Sequence, residues 1–320
     1  MSLIRPSPSS IATSAAAGLT GRRRIRVNLM HHAAPTASPL RQGGPGRRSA
    51  DVAIVVAAAA NTASTTPPLV KVCGVTNPAD ANLAASAGAD LVGMIMWPKA
   101  KRAVSDEQAR EIAANARRGG ALPVGVFVDE GAAEIERRCL ASGLRAVQLH
   151  GDGARAALAE LDPEAVPVVV YVLHASDEGE VATPLPAGSD AATTTTTTTT
   201  PRVRPLDLEN NASSPRRKRG QPTFLLYDGL QGGGGKTFNW QALLSGARPS
   251  EAAQRCGAAG GWALAGGLGP ANVAKAVLAA HPDVVDVSSG VCGPDGLLKD
   301  ADKVVAFVKG AKEAAATGAV

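Results

Sequence analysis

Two groups able to move protons close β-like runs far apart in this 320-residue chain: the thiol of Cys73, after Val70-Lys71-Val72, and the carboxyl of Asp228, after Phe224–Tyr227. A thiolate can take a proton and a protonated carboxyl can give one, so the pair suits general acid–base catalysis. A lone cysteine at a strand end reads first as a small buried hydrophobe. The recurrence of polar groups after several other runs reverses that weighting. Arg102 ends the basic loop Pro98–Arg102, and its planar fork matches a carboxylate bidentately. Gln148 and His150 end another run. Gly266-Gly267 and Ser288-Ser289-Gly290 follow two more, offering backbone N–H groups where side chains would obstruct. Such turns can cradle a phosphate, so a phosphorylated sugar is the substrate class these groups suit together.

One architecture brings strand ends from across a chain to one rim. Strand-like runs fall at Leu69–Val75, Ala89–Met96, Pro123–Val128, Ala146–His150, Val166–Leu173, Thr223–Asp228, Trp262–Ala265 and Val284–Val287, with helical patterns after nearly all of them. Asn77-Pro78 reads as an N-cap and first-turn proline, and Ser105 with Gln108 as a capping box. Helices are also expected over Ala132–Ser142, Ala154–Leu161, from Trp240, from Pro270 and over Asp300–Ala315. The class is α/β, a (β/α)8 barrel of the TIM type, whose working face is the C-terminal end of its strands. The turns after strands seven and eight are where this fold recurrently holds phosphate.

One helix is missing. Between strands five and six, residues 175–222 hold an eight-threonine run, scattered prolines and Arg216-Arg217-Lys218-Arg219. Such composition argues for a disordered low-complexity insertion in place of the fifth helix, and for a solvated basic cluster rather than a nucleic-acid site. Residues 1–65 form a separate leader. Its first 50 residues carry eight Arg and no Lys, Asp or Glu; the whole chain is +5, so residues 51–320 net 5 − 8 = −3. The basic balance belongs to the leader, whose Ser, Ala and Arg content is that of an organelle transit peptide. A twin-arginine-like signal at Arg47-Arg48 is the weaker alternative. The apolar run Val52–Ala60 is far short of the ~20 residues of a membrane span. Four cysteines lie far apart without a C-x-x-C pair, so neither a zinc site nor a disulfide framework is suggested. The expected domains are therefore 1–65 (leader), 66–316 (barrel) and 175–222 (insertion within it).

Two motif lookalikes fail on inspection. Gly229–Thr237 resembles a P-loop but carries Leu230 where glycine is needed, and Gly151–Ala156 matches a dinucleotide fingerprint without the downstream acid.

The runs VKVCGVTNPADA, PKAKRAVS, VGVFV, VQLHG, FNW, LAGGLGPANV and VDVSSGV, in this order, resemble the phosphoribosylanthranilate isomerase family, and its plant branch in particular. The likeness spans about residues 69–310 except the insertion. It implies a cofactor-free, metal-free Amadori rearrangement of N-(5-phosphoribosyl)anthranilate in tryptophan biosynthesis. It implies Cys73 as general base, Asp228 as general acid, Arg102 on the anthranilate carboxylate, and Gln148 and His150 at the substrate. It also implies a plastid stromal location, a small phosphosugar as partner, and neither nucleic acid nor membrane. Asn239 departs from the family's usual aspartate, and Cys292 from its usual acid. A non-catalytic protein binding a partner through Arg216–Arg219, and another phosphosugar barrel enzyme, are the competing readings. Oligomeric state is not readable from these residues.

Overall fold

The structure, a computed structural model, describes residues 66–187, 205–210, 217–229 and 239–317. The expected leader and the P-loop lookalike beyond Gly229 lie outside these residues. Eight parallel strands close into a barrel in chain order: β1 (Leu69–Val72), β2 (Leu91–Ile95), β3 (Leu122–Phe127), β4 (Ala146–Leu149), β5 (Val168–Ala175), β6 (Phe224–Gly229), β7 (Trp262–Leu264) and β8 (Val284–Val287). The register Lys71↔Asp286 and Val72↔Val287 joins β1 to β8 and completes the ring.

The helices begin where the local chemistry dictates. In α1 (Pro78–Ser86) the Asn77 side chain accepts from the Asp80 N–H, with proline in the first turn. In α2 (Asp106–Arg118) Ser105 and Gln108 form the expected reciprocal capping box. Then come α3 (Ala132–Ser142) and the short α4 (Asp152–Ala156), which tightens into a 3₁₀ turn at Ala157–Ala159. Strand five begins two residues later than its sequence pattern suggests. Pro167 has no N–H for the ladder, and pairing then runs on to Ala175↔Gly229. Strand one stops at Val72 because Gly74, at φ +69°, turns the chain.

Between β5 and β6 the described part of the insertion includes α5 (Pro205–Asn210). Its Leu206 and Leu208 pack against the cluster that fills the barrel interior, which includes Leu69, Leu91, Leu122, Ala146, Val168 and Phe224. Most of these open their strands, so α5 sits at the N-terminal mouth. Glu209 is buried and ion-paired with Arg117 at the end of α2. The solvated reading of Arg216–Arg219 needs correction at Arg217. That side chain is buried and donates to the carbonyls of Val166 (2.8 Å) and Leu161 (3.0 Å). A guanidinium has five donors, enough to cap loose carbonyls beneath β5.

The chain returns through α6 (Trp240–Ala247), α7 (Pro249–Arg255), α8 (Val273–Ala280) and α9 (Ala301–Thr317). A second apolar cluster, between strands and helices, includes Val70, Val72, Ile112, Ile135, Leu243 and Phe307. No helix among the described residues is long and apolar enough to cross a membrane.

Candidate functional site

Side-chain alternation carries polar groups to the C-terminal mouth. Ala146 and Leu226 belong to the interior cluster, so Gln148 and Asp228, two residues on, point inward one layer higher. Lys71 and Asp286 occupy the corresponding layer on β1 and β8, joined by a 3.0 Å ion pair. Cys73 follows Lys71 by two residues.

Asp228 and the phosphate-cradle candidates come together. A small cleft is lined by Asp228, Asp286 and the turns Gly266–Leu268 and Ser288–Gly290. Gly266 (φ +82°) and Gly267 (φ +65°) hold left-handed backbone that L side chains resist. At Gly290 an added Cβ would stand 2.1 Å from the Leu268 carbonyl oxygen, so only glycine lets the two turns meet. The N–H groups of Gly266 and Gly267 donate to no backbone acceptor among the described residues. Asn272, just before α8, donates to the Gly267 carbonyl and accepts from the Gly269 N–H, fixing the first turn.

Asp228 holds its proton more tightly than an ordinary carboxyl. Burial comes first and the Asp286 charge second, only partly offset by the Gly229 N–H and Lys71, and its pKa rises to about 6. Cys73 is buried beside this cleft and tied to it through its carbonyl, which accepts from Ser288 Oγ (3.2 Å) and Lys299 Nζ (2.7 Å).

Arg102 lies over Gly74, where an added Cβ would come within 3.0 Å of both its guanidinium carbon and Ser288 Oγ. Its Nη1 donates to Cys292 Sγ (3.2 Å), which is also 3.4 Å from Lys299 Nζ. Two cations thus flank the Cys292 thiol. Neither makes a salt bridge to a carboxylate among the described residues. Burial lowers the Lys299 pKa despite the neighbouring thiols.

Gln148 and His150 form the opposite arc. Gln148 Nε2 is 3.3 Å from His150 Nδ1, and His150 Nε2 is 3.4 Å from His174 Nε2 at the end of β5. Burial above all, then His174, Lys71 and Arg155, push the His150 pKa down to about 3, so this imidazole is neutral at physiological pH. Gln148 Oε1 is buried without a partner among the described residues. The two glycines of the dinucleotide lookalike are spent on packing: added Cβ atoms at Gly151 and Gly153 would strike the carbonyls of Val128 and Asp129. No group of three His, Cys, Asp or Glu side chains among the described residues is placed to hold a metal ion.

Lys71, Asp286, Lys299 and His174 are additions that sequence reading missed. The only signal for the first two was a charge at an inward position in an otherwise apolar strand.

The family model for N-(5'-phosphoribosyl)anthranilate (PRA) isomerase matches residues 70–192 and 187–310. N-(5'-phosphoribosyl)anthranilate isomerase 1, chloroplastic, of Arabidopsis thaliana is 38% identical over 241 residues, covering 75% of this chain and 74% of the relative. The Chlamydia felis enzyme of the same name is 35% identical, covering 76% and 96%. Among solved structures, phosphoribosylanthranilate isomerase from Thermotoga maritima superposes with a TM-score of 0.52 at 30% identity, covering 77% of this chain and 99% of that one. One solved with reduced 1-(o-carboxyphenylamino)-1-deoxyribulose 5-phosphate gives 0.51 at 29%, with the same coverage. The chain belongs to the phosphoribosylanthranilate isomerase family.

Proposed function

We propose that this chain isomerises N-(5'-phosphoribosyl)anthranilate to 1-(2-carboxyphenylamino)-1-deoxyribulose 5-phosphate, a step of tryptophan biosynthesis. The observation that carries the reading is a carboxyl holding its proton to about pH 6 in a cleft whose other walls are two glycine turns. The product analogue bound by a relative is a phosphosugar carrying a benzoate, the two anionic ends this rim suits.

The phosphate binds the N–H groups of Gly266, Gly267, Ser289 and Gly290, with Ser288 shaping the second turn. Arg102 grips the anthranilate carboxylate. Gln148 and His150 hold the middle of the substrate, the neutral imidazole offering one donor and one acceptor. Asp228 gives its proton to the furanose ring oxygen, and the ring opens to an iminium at C1. Cys73 then takes the C2 proton, and the electrons of that C–H bond form the C1–C2 double bond of an enolamine. Tautomerisation to the C2 ketone completes the rearrangement. The chemistry needs no cofactor, because the nitrogen at C1 is itself the electron sink. The acid-free, Arg-rich leader and the chloroplastic relatives support a plastid location after removal of the leader.

The test is the decay of anthranilate fluorescence on freshly formed substrate with the full-length chain. Protein-dependent decay is expected; a folded, monodisperse sample without it would remove the assignment.

A further inference from the structure

An ammonium enclosed in a barrel costs free energy that its own salt bridge seldom returns. Replacing a buried ion pair by apolar residues is often neutral or stabilising. Lys71 is nevertheless only 1% exposed and its partner Asp286 7%, at the top of an interior that is apolar below them. Stability gives no reason for the pair; its neighbours do.

Lys71 Nζ and Cys73 Sγ converge on one point of β2: a Cβ built on Gly93 would lie 3.2 Å from the nitrogen and 2.7 Å from the sulfur. Gly93 thus provides the space in which the two side chains meet. On the other side, β1–β8 register sets Asp286 directly beside Lys71. One oxygen of Asp286 takes the ammonium at 3.0 Å, and the other is buried with no hydrogen-bond partner among the described residues. Asp286 also shares the cleft wall with Asp228. The order around the mouth is therefore thiol, ammonium, carboxylate, carboxyl.

We propose that Lys71 is a positioning residue for the proton transfers: its ammonium, fixed by Asp286, stands against Cys73 and stabilises the negative sulfur of that base. The inference deepens the isomerase reading and rests on it. Lys71 keeps its own three protons throughout; only Cys73 gains one and Asp228 loses one. Burial disfavours the ammonium, but Asp286 and then Cys73 outweigh it and hold the lysine charged.

The test compares the full-length parent with Lys71→Met and with Lys71→Met/Asp286→Asn, which removes both charges of the ion pair together. In Lys71→Met, kcat is expected to fall at least a hundredfold with KM within threefold. Alkylation of Cys73 by iodoacetamide at pH 7, read by mass on the Cys73 peptide, should slow at least tenfold. The double variant guards against misfolding: with a parental circular dichroism spectrum, its Cys73 should still alkylate at least tenfold slower than the parent's. Parental alkylation rates in either folded variant, or a kcat within threefold of the parent in folded Lys71→Met, overturn the proposal. A parent without turnover would sink the isomerase reading, while the alkylation comparison would still decide whether Lys71 acts on Cys73.

Discussion

The two mouths of the barrel are built from the same eight strands and solve opposite problems. At the N-terminal mouth the inward residues are Leu69, Leu91, Leu122, Ala146, Val168 and Phe224, and Leu206 and Leu208 of α5 pack against this cluster. At the C-terminal mouth the inward residues include Lys71, Gln148, Asp228 and Asp286, with Gln148 Oε1 and Asp286 Oδ1 buried and unpartnered among the described residues. Apolar burial at the lower mouth contributes stability at roughly 25 cal/mol per Å². Orphaned polar atoms at the upper mouth cost about 1–3 kcal/mol each. A barrel that spends stability at one end needs a well-sealed core at the other, and here the sealing helix comes from the insertion.

This division can be broken from either end. The largest effect is expected above. Asp228→Asn removes the proposed proton donor and should lower kcat by about 10²–10⁴-fold, the usual contribution of such a group. It should also change the pH profile. An acid with its pKa raised to about 6 is protonated below that pH and ionised above it, so kcat/KM of the parent should decline above pH 6. That limb should vanish in the variant; its survival would assign it to another group.

Below, Leu206→Ser/Leu208→Ser should cost about 2–4 kcal/mol in denaturant unfolding, since each side chain is only partly buried. Turnover of the folded fraction should stay within twofold. A kinetic loss without a stability loss would mean that the two mouths are not independent.

The smallest expected signal is a silence. The His150 Cε1–H resonance should hold its shift from pH 5 to 8, because its pKa is pushed down to about 3. The linkage has a definite sign: the folded value lies below the unfolded ~6.5, so stability present above pH 6.5 is lost as pH falls towards 3. A midpoint near 6.5 would place His150 in water.

Sequence reading reached the barrel because eight strand-like runs with helical spacers leave few alternatives. It reached the caps of α1 and α2 because Asn77-Pro78 and Ser105/Gln108 are local devices that need no tertiary partner. The glycine turns were visible for the same reason. Lys71 and Asp286 were not, because a single charge in a short strand reads equally as a solvent-facing residue, and the β1–β8 register that pairs the two has no sequence signature. Arg217 stood in a run of like charges whose composition implied solvent, yet its partners are backbone carbonyls that carry no sequence signature. The contact of α5 was hidden in the same way, since low-complexity flanks outweighed two leucines. Cys292 was noticed as a departure, but its place between Arg102 and Lys299 needed coordinates.

The central claim is that Cys73 takes the C2 proton, and it is tested most directly by following anthranilate fluorescence with Cys73→Ala beside the parent. A loss in kcat of at least a thousandfold, with KM within threefold and an unchanged melting temperature, is the predicted result. Near-parental turnover in the folded variant would contradict it.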